Sequence, residues 1–262
     1  MIEHVYRRAK RVPGVDQVVV LTDDPRIEEV VAGFGGDCEM TPTDCVSGTD
    51  RIAFALERWL SAGRRVDAVL NIQGDEPFID PDAVGQIASH LIAAPRAGMA
   101  TLAAPLPPEL LNDPNAVKVV TRQDGDALYF SRAGIPYPRD AEACAPRLHI
   151  GVYGYSIDIL RRLAKLAPSP LERAESLEQL RALEHGIPIR VFSVDEAWRG
   201  IDTVEDLQAA VEHLASQSST EAYEVTESSR NRSDGSAPGA RALEPLGAQL
   251  SHVPEQERGD IR

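Results

Sequence analysis

Cysteine is scarce in this 262-residue sequence: Cys38, Cys45 and Cys144 are the only three, and none stands in a C-x-x-C pair. An odd number at such spacings excludes a disulfide framework and a structural zinc site, so the thiols are expected to be reduced. No apolar run reaches the length that a membrane-spanning helix requires. The opening "MIEHVYRRAKRVPG" alternates charged and apolar residues, unlike a secretory leader. A cytoplasmic protein without a membrane partner is expected. Positive charge is short as well: 27 Lys and Arg face 41 Asp and Glu, a formal net charge of −14. That balance excludes a general nucleic-acid binder, which needs a basic surface to neutralise phosphates. Small anions would need a metal as mediator. Neither G-x-x-x-x-G-K-[ST] nor a G-x-G-x-x-G after a strand occurs, so a nucleotide would be held without the two best-known phosphate cradles.

What is present is an alternation of strand-like and helix-like segments, with enough apolar residues (43%) for a sizeable core. Residues 16–24, "DQVVVLTDD", read as a strand, and Pro25 opens a helix with Ile27, Val30 and Val31 on one face. "VDAVLNIQGDEP" is the next strand, followed by a helix from Pro81 to about Ala94; "GMATLAAPL" is a third. "VKVVTRQDGDALYFS" reads as a hairpin around Asp124-Gly125. Then come a strand at 149–156, a helix at "IDILRRLAKL", one helix over "SPLERAESLEQLRALEHG" ending at Gly186, a strand at "PIRVFSVD" and a helix capped by Thr203. Such alternation predicts an α/β fold: a mainly parallel sheet, helices on both faces and an antiparallel hairpin. After about Ser216 the composition turns to Ser, Glu, Gly, Pro and Arg without apolar period. The expected organisation is a folded domain over 1–215 and a disordered tail over 216–262. At the other end, Ile2, Val5, Tyr6 and Ala9 have helical spacing with no capping residue ahead of them. Either that first turn frays or something precedes it in the natural protein.

The stretch "VLNIQGDEPFIDP" runs from apolar strand formers straight into Asp75 and Glu76. Gly74 and Pro77 end the strand, so the acids are delivered to its C-terminal end, where open α/β sheets hold ligands. A hard carboxylate there suits Mg2+, which takes oxygen ligands and often only one or two from protein. A solvated turn acid is the plainer alternative. Asp202, in "GIDTVEDL", reads alone as an acid stabilising a helix N-terminus. Ser47, Gly48 and Thr49 precede a helix, where free N–H groups can meet a phosphate or base, or simply start the helix.

Eight segments in order then carry a resemblance: "MTPTDCVSGTDR", "NIQGDEPFI", "GMATLAAP", "DPNAVKVV", "ALYFSRAGIPY", "HIGVYGY", "PSPLERAESLEQLRAL" and "GIDTVEDL". In order and spacing they resemble the 3-deoxy-D-manno-octulosonate (Kdo) cytidylyltransferases, or CMP-Kdo synthetases, from Met1 to about Leu214. The resemblance implies a Rossmann-like nucleotidyltransferase fold, with CTP and Kdo as small-molecule substrates, pyrophosphate as product, Mg2+ as cofactor and a homodimer in the cytoplasm that serves lipopolysaccharide synthesis. It implies that Asp75 and Asp202 are the metal carboxylates and that Ser47, Gly48 and Arg51 recognise the cytidine, with Arg51 free to pair with anionic groups. It further implies that Gln73, His149, Tyr153, Glu178 and Gln179 contact the sugar, with Arg132 meeting its carboxylate. Without it, His149 would read as a buried strand histidine, Tyr153 as core, and Glu178 with Gln179 as an exposed helix face. A cytidylyltransferase for another 2-keto-3-deoxy sugar acid, and a silent homologue that binds sugar acid without chemistry, are the other readings of the same motifs.

The sequence departs from the family at two places. Cys45 stands where the family usually has a histidine, and Pro42 where a basic residue is common. The family also opens with a strand and a "P-A-R-x-x-S-x-R-L-P-G-K" loop that grips the triphosphate, and the match begins after that loop. The expectation on that ground is weak CTP binding and low turnover.

Overall fold

A computed structural model describes residues 1–212 apart from 46, 96, 97, 141, 142, 199, 202–205 and 209. Asp202, the Thr203 cap and the 216–262 tail therefore lie outside the described residues. Helix α1 (Ile2–Ala9) has no side-chain cap at Met1 and buries Val5, Tyr6 and Ala9, the face its spacing predicts. Strand β1 (Val20–Thr22) runs parallel to β2 (Cys38–Met40) in a two-stranded sheet, joined through α2 (Pro25–Gly33). Asp24 starts α2 by accepting a hydrogen bond from Arg26 N–H at 2.8 Å. Helix α3 (Gly48–Ser61), strand β3 (Ala68–Asn71), helix α4 (Pro81–Ala93) and strand β4 (Met99–Pro105) follow. The predicted hairpin forms as β5 (Lys118–Thr121) and β6 (Ala127–Ser131), with Gly125 at φ +92° in its turn. Next come β7 (Arg147–Ser156), α5 (Ile157–Leu163), α6 (Pro170–Glu175), α7 (Gln179–Glu184) and β8 (Ile189–Ser193).

The larger sheet has six strands in the order β6-β5-β7-β4-β8, with β3 also on β7. It is mixed, not mainly parallel: β7 is antiparallel to β3, β4 and β5, β5 is antiparallel to β6, and among the described residues only β4 and β8 pair in parallel within this sheet. The reason is the route into β7. The β5–β6 hairpin and β7 are both antiparallel at β5, so β7 runs in the same sense as β6 and enters the sheet on the far side of β5 from it. Strand β7 is the hinge of the architecture. Along one edge it pairs with the whole of β4; along the other it pairs first with β5, through Arg147 and Leu148, and then with β3, through Tyr153 to Ser156. Between those two partners the sheet divides at residues 149–152.

Helices cover both faces, as expected. On one face Ile52 and Leu56 of α3, Leu160 and Leu163 of α5 and Leu180 of α7 pack with Met99, Ala103 and Tyr155. On the other, Ala9 of α1 and Val84, Ile87 and Leu91 of α4 pack with Ala100, Leu102, Ile150 and Val152. Each fully buried Leu or Ile contributes roughly 1.5–3 kcal/mol by leaving water. Gly154 is the contact that lets α4 lie so close to β7, because a Cβ there would run into Ile87 and Leu91.

Two local expectations change. Residues 169–186 form two helices, not one: Ser169-Pro170 starts α6 as anticipated, through a capping box with Glu172, but Ser176 adopts a left-handed conformation (φ 52°) and ends it before α7. Strand β2 has only three residues and no apolar run to announce it.

Candidate functional site

The division of the sheet at β7 opens onto a cavity of about 1610 Å3. It exceeds the roughly 300–1,000 Å3 usual for one small ligand, leaving room for two side by side. Gln73, past the end of β3, lies across the division, its side-chain N–H donating to Gly151 O at 3.3 Å. Gly151 permits this, since a Cβ would stand 2.9 Å from that nitrogen. The chain then turns, with Glu76 N–H donating to Gln73 O at 3.2 Å, and brings Asp75 to the cavity wall. Ile201 N–H donates to Asp75 O at 2.8 Å, and Gly200 lies against Glu76. The backbone just before Asp202 is thereby tied to the Asp75 turn; Asp202 itself lies outside the described residues.

The N-terminus of α3 forms the next wall. Ser47 is its cap, its hydroxyl accepting from Asp50 N–H at 3.1 Å. Ser47 does not itself line the cavity, while Gly48, Thr49 and Arg51 do. Gly48 packs beside Asn71, and buried Thr49 hydrogen-bonds the Glu178 carboxylate. The resemblance implies an Arg51 free to pair with anionic groups, whereas its guanidinium is already engaged by the protein. It forms an ion pair with Asp23 at 3.2 Å and donates to Thr41 Oγ1. Its charge is held by residues following β1 and β2, partners too distant in sequence to be anticipated.

His149 and Tyr153 stand at either end of the divided segment of β7. The His149 ring lies 5.0 Å from Phe130, edge to face, and 5.4 Å from Tyr153. Its Nε2 is 3.1 Å from Thr101 Oγ1. Burial pushes the imidazole down to about 3 and the Tyr153 phenol well above its ordinary value, so both are neutral near pH 7. The unfolded chain has a histidine near 6.5 and binds a proton that the folded chain refuses. Stability is therefore fully present above pH 6.5 and declines as pH falls through the window toward 3, at most by about 1.4 kcal/mol per pH unit. Urea midpoints measured between pH 5 and 7.5 should fall with acidification in the parent chain and fall less steeply in His149→Asn. Equal slopes would show that His149 is not the group refusing the proton.

Glu178 and Gln179 are not an exposed helix face. Gln179 is buried, and Glu178 is the residue before α7, half-buried at the cavity. Arg132 also lines the cavity, but its guanidinium is engaged with backbone: Nε donates to Glu175 O at 2.7 Å and the terminal nitrogens to Pro114 O at 2.9 Å and Ser176 O at 3.4 Å. Glu175 in turn accepts from Ser131 Oγ at 2.7 Å and Arg132 N at 2.9 Å, fastening β6 to the α6–α7 break. Lys118, Glu175 and Thr101 are structural members of this site that motif reading did not single out. Each lies in a segment that carried the resemblance, Thr101 in "GMATLAAP", Lys118 in "DPNAVKVV" and Glu175 in "PSPLERAESLEQLRAL", but no role was attached to any of them.

The cytidylyltransferase family profile matches residues 1–190. The 3-deoxy-manno-octulosonate cytidylyltransferase of Syntrophotalea carbinolica is 46% identical over 230 residues, covering 82% of this chain and 88% of that protein. The chain belongs to this family. The Escherichia coli 3-deoxy-manno-octulosonate cytidylyltransferase is 44% identical, with 78% of this chain and 80% of that protein covered. A solved structure described as CMP:2-keto-3-deoxy-manno-octonic acid synthetase complexed with CTP superposes with a TM-score of 0.77 at 42% identity, over 82% of this chain and 88% of the other.

For a cytidylyltransferase the cavity has two chemically distinct regions. One carries the acids of the Asp75 turn; the other carries the neutral His149 and Tyr153 together with Gln179, Glu178 and Arg132. Hard oxygen donors such as Asp75 suit Mg2+, which needs few protein ligands. Among the described residues no three His, Cys, Asp or Glu side chains gather into a metal-binding group. Among them, too, no helix is long and apolar enough to cross a membrane.

Proposed function

We propose that this chain transfers CMP from CTP to 3-deoxy-D-manno-octulosonate. The observation that carries the reading is the meeting, in one cavity, of the Asp75 turn with Gln73, His149, Tyr153, Glu178 and Gln179, in a chain of this family. The anomeric hydroxyl of the sugar acid forms a bond to the α-phosphorus of CTP, the bond from that phosphorus to the bridging oxygen breaks, and pyrophosphate leaves. Such chemistry asks mainly for positioning and charge neutralisation.

Asp75 and Asp202 would hold Mg2+, which when bound neutralises phosphate charge and favours ionisation of the attacking hydroxyl. The N-terminal turn of α3, with Gly48 and Arg51, faces the cytidine; Arg51, paired with Asp23, acts from a fixed position. Gln73, His149, Tyr153, Glu178 and Gln179 orient the sugar. Arg132 supports that pocket by holding Pro114, Glu175 and Ser176 with three of its five N–H donors, and meets the sugar carboxylate with the others. The enzyme works as a cytoplasmic homodimer, with α6 in the contact; Leu171, 39% exposed on α6, supplies apolar surface for it.

The test is pyrophosphate release from CTP and Mg2+ in the presence of Kdo. Release that depends on Kdo, with CMP appearing on the sugar, is the expected outcome. Release with a different 2-keto-3-deoxy sugar acid and not with Kdo would move the substrate assignment. Sugar-acid binding without CTP or Mg2+ dependence would replace the enzyme with a silent binder.

A further inference from the structure

The irregularity in the β4–β7 ladder has a chemical consequence. Register shifts between Thr101 and Leu102: Thr101 faces Tyr153, whereas Leu102 faces Ile150. Gly151 and Val152 are thus extra residues on β7, a bulge that interrupts the ladder's backbone hydrogen bonds. The Thr101 side chain, fully buried, lies against the bulge, its Oγ1 2.8 Å from Val152 O and 3.1 Å from Ile150 O.

A threonine hydroxyl has one proton, and carbonyl oxygens only accept. With two carbonyls this close, the proton must point at them, since otherwise three oxygens would face one another with no hydrogen between them. Thr101 Oγ1 then has only lone pairs to offer its third neighbour, His149 Nε2, at 3.1 Å. That contact is a hydrogen bond only if Nε2 carries the proton. In a neutral imidazole the other nitrogen is then an acceptor, and which nitrogen is protonated follows from the partner the ring is given. Nδ1 has no hydrogen-bond partner among the described residues, and His149 lines the cavity.

We infer that Thr101 is a positioning residue that fixes His149 as the Nε2–H tautomer, so that Nδ1 accepts a hydrogen bond from a hydroxyl of the sugar acid. This rests on the sugar-facing role proposed for His149, and it sharpens that role: the ring selects a hydroxyl donor and not an anionic oxygen. The downward shift of the imidazole by burial agrees with a neutral ring.

The test begins with ligand-free full-length protein labelled with 15N at histidine. Long-range 1H–15N correlations at pH 7 should show a protonated, pyrrole-type Nε2 and a pyridine-type Nδ1 for His149. Thr101→Ser, which keeps the hydroxyl, should leave both signals and the kinetics near parental. Thr101→Val should shift the ring toward the Nδ1–H form and raise KM for Kdo roughly tenfold, the worth of about one hydrogen bond, with KM for CTP unchanged. A protonated Nδ1 in the parent protein overturns the inference, as does a Kdo KM that is unaltered in folded Thr101→Val. Should the valine variant fail to fold, the parent spectrum and Thr101→Ser still decide it. Because the tautomer is read without substrate, failure of the proposed reaction and failure of this inference are separate results.

Discussion

Asp75→Ala is expected to lower Kdo-dependent pyrophosphate release by about 10^3-fold, equivalent to about 4 kcal/mol of barrier, while leaving the fold intact. The two halves of that expectation come from different atoms of one residue. The tie from Ile201 N–H to Asp75 is made to the backbone carbonyl, which alanine retains, so the turn keeps its anchor. What alanine removes is a carboxylate at the cavity wall. Without it, the negative charge of the triphosphate has lost one of the two groups proposed to hold its neutralising cation, and Mg2+ affinity and rate should fall together. Asp75→Asn, with the same shape and no charge, should lose nearly as much. The measurement is turnover against Mg2+ concentration for the three proteins at matched circular dichroism. If the alanine variant retains activity within threefold at saturating Mg2+, the metal role of Asp75 is wrong and the acid is a turn residue.

The placement of Asp75 in a turn after β3 was legible in the sequence because everything it needs is local: apolar strand formers, a glycine, two acids and a proline in one stretch. The helices with explicit start signals were legible for the same reason. Pro25 after Asp24, Pro81 after Asp80 and the Ser169–Glu172 box each build their cap within a few residues. The direction of β7 was not legible. Alternation of apolar and small residues reads identically whether a strand runs parallel or antiparallel to its neighbour, and the neighbours of β7 come from three separate stretches of chain. Nor was the break at Ser176, which carries neither Gly nor Pro to mark it; its carbonyl is met by Arg132, a residue from β6's end. Arg51 shows the same limit at the site itself. The resemblance implied a cation free to pair with anionic groups, and only the folded arrangement brings Asp23 and Thr41 to it. Roles set by one segment could be read, while roles set by two segments meeting could not.

Lys118 is the strongest case of the second kind, and its replacement by methionine is expected to cost about 3–5 kcal/mol of stability. The side chain is completely buried, and its ammonium donates to Asp113 O at 2.8 Å, Ala116 O at 2.6 Å and Arg132 O at 2.6 Å. All three protons are used, which is the condition under which a buried charge is tolerated. Desolvation still pushes its pKa down, a sign that water has been lost and the carbonyls carry the compensation. Methionine fills nearly the same volume, so the loss is not a cavity. It is three carbonyls left without a donor, each costing about 1–3 kcal/mol and partly overlapping. Against a total stability of roughly 5–15 kcal/mol, the denaturant midpoint should drop sharply. The damage should also have a direction. Residues 113–116 and Arg132 are held to one another by this ammonium, and Arg132 in turn holds Glu175 and Ser176, just before Glu178 and Gln179. Where Lys118→Met remains folded at low temperature, KM for Kdo should therefore rise more than KM for CTP. A stability within 1 kcal/mol of the parent would mean that water replaces the ammonium and that Lys118 is not what fastens the sugar side of the cavity.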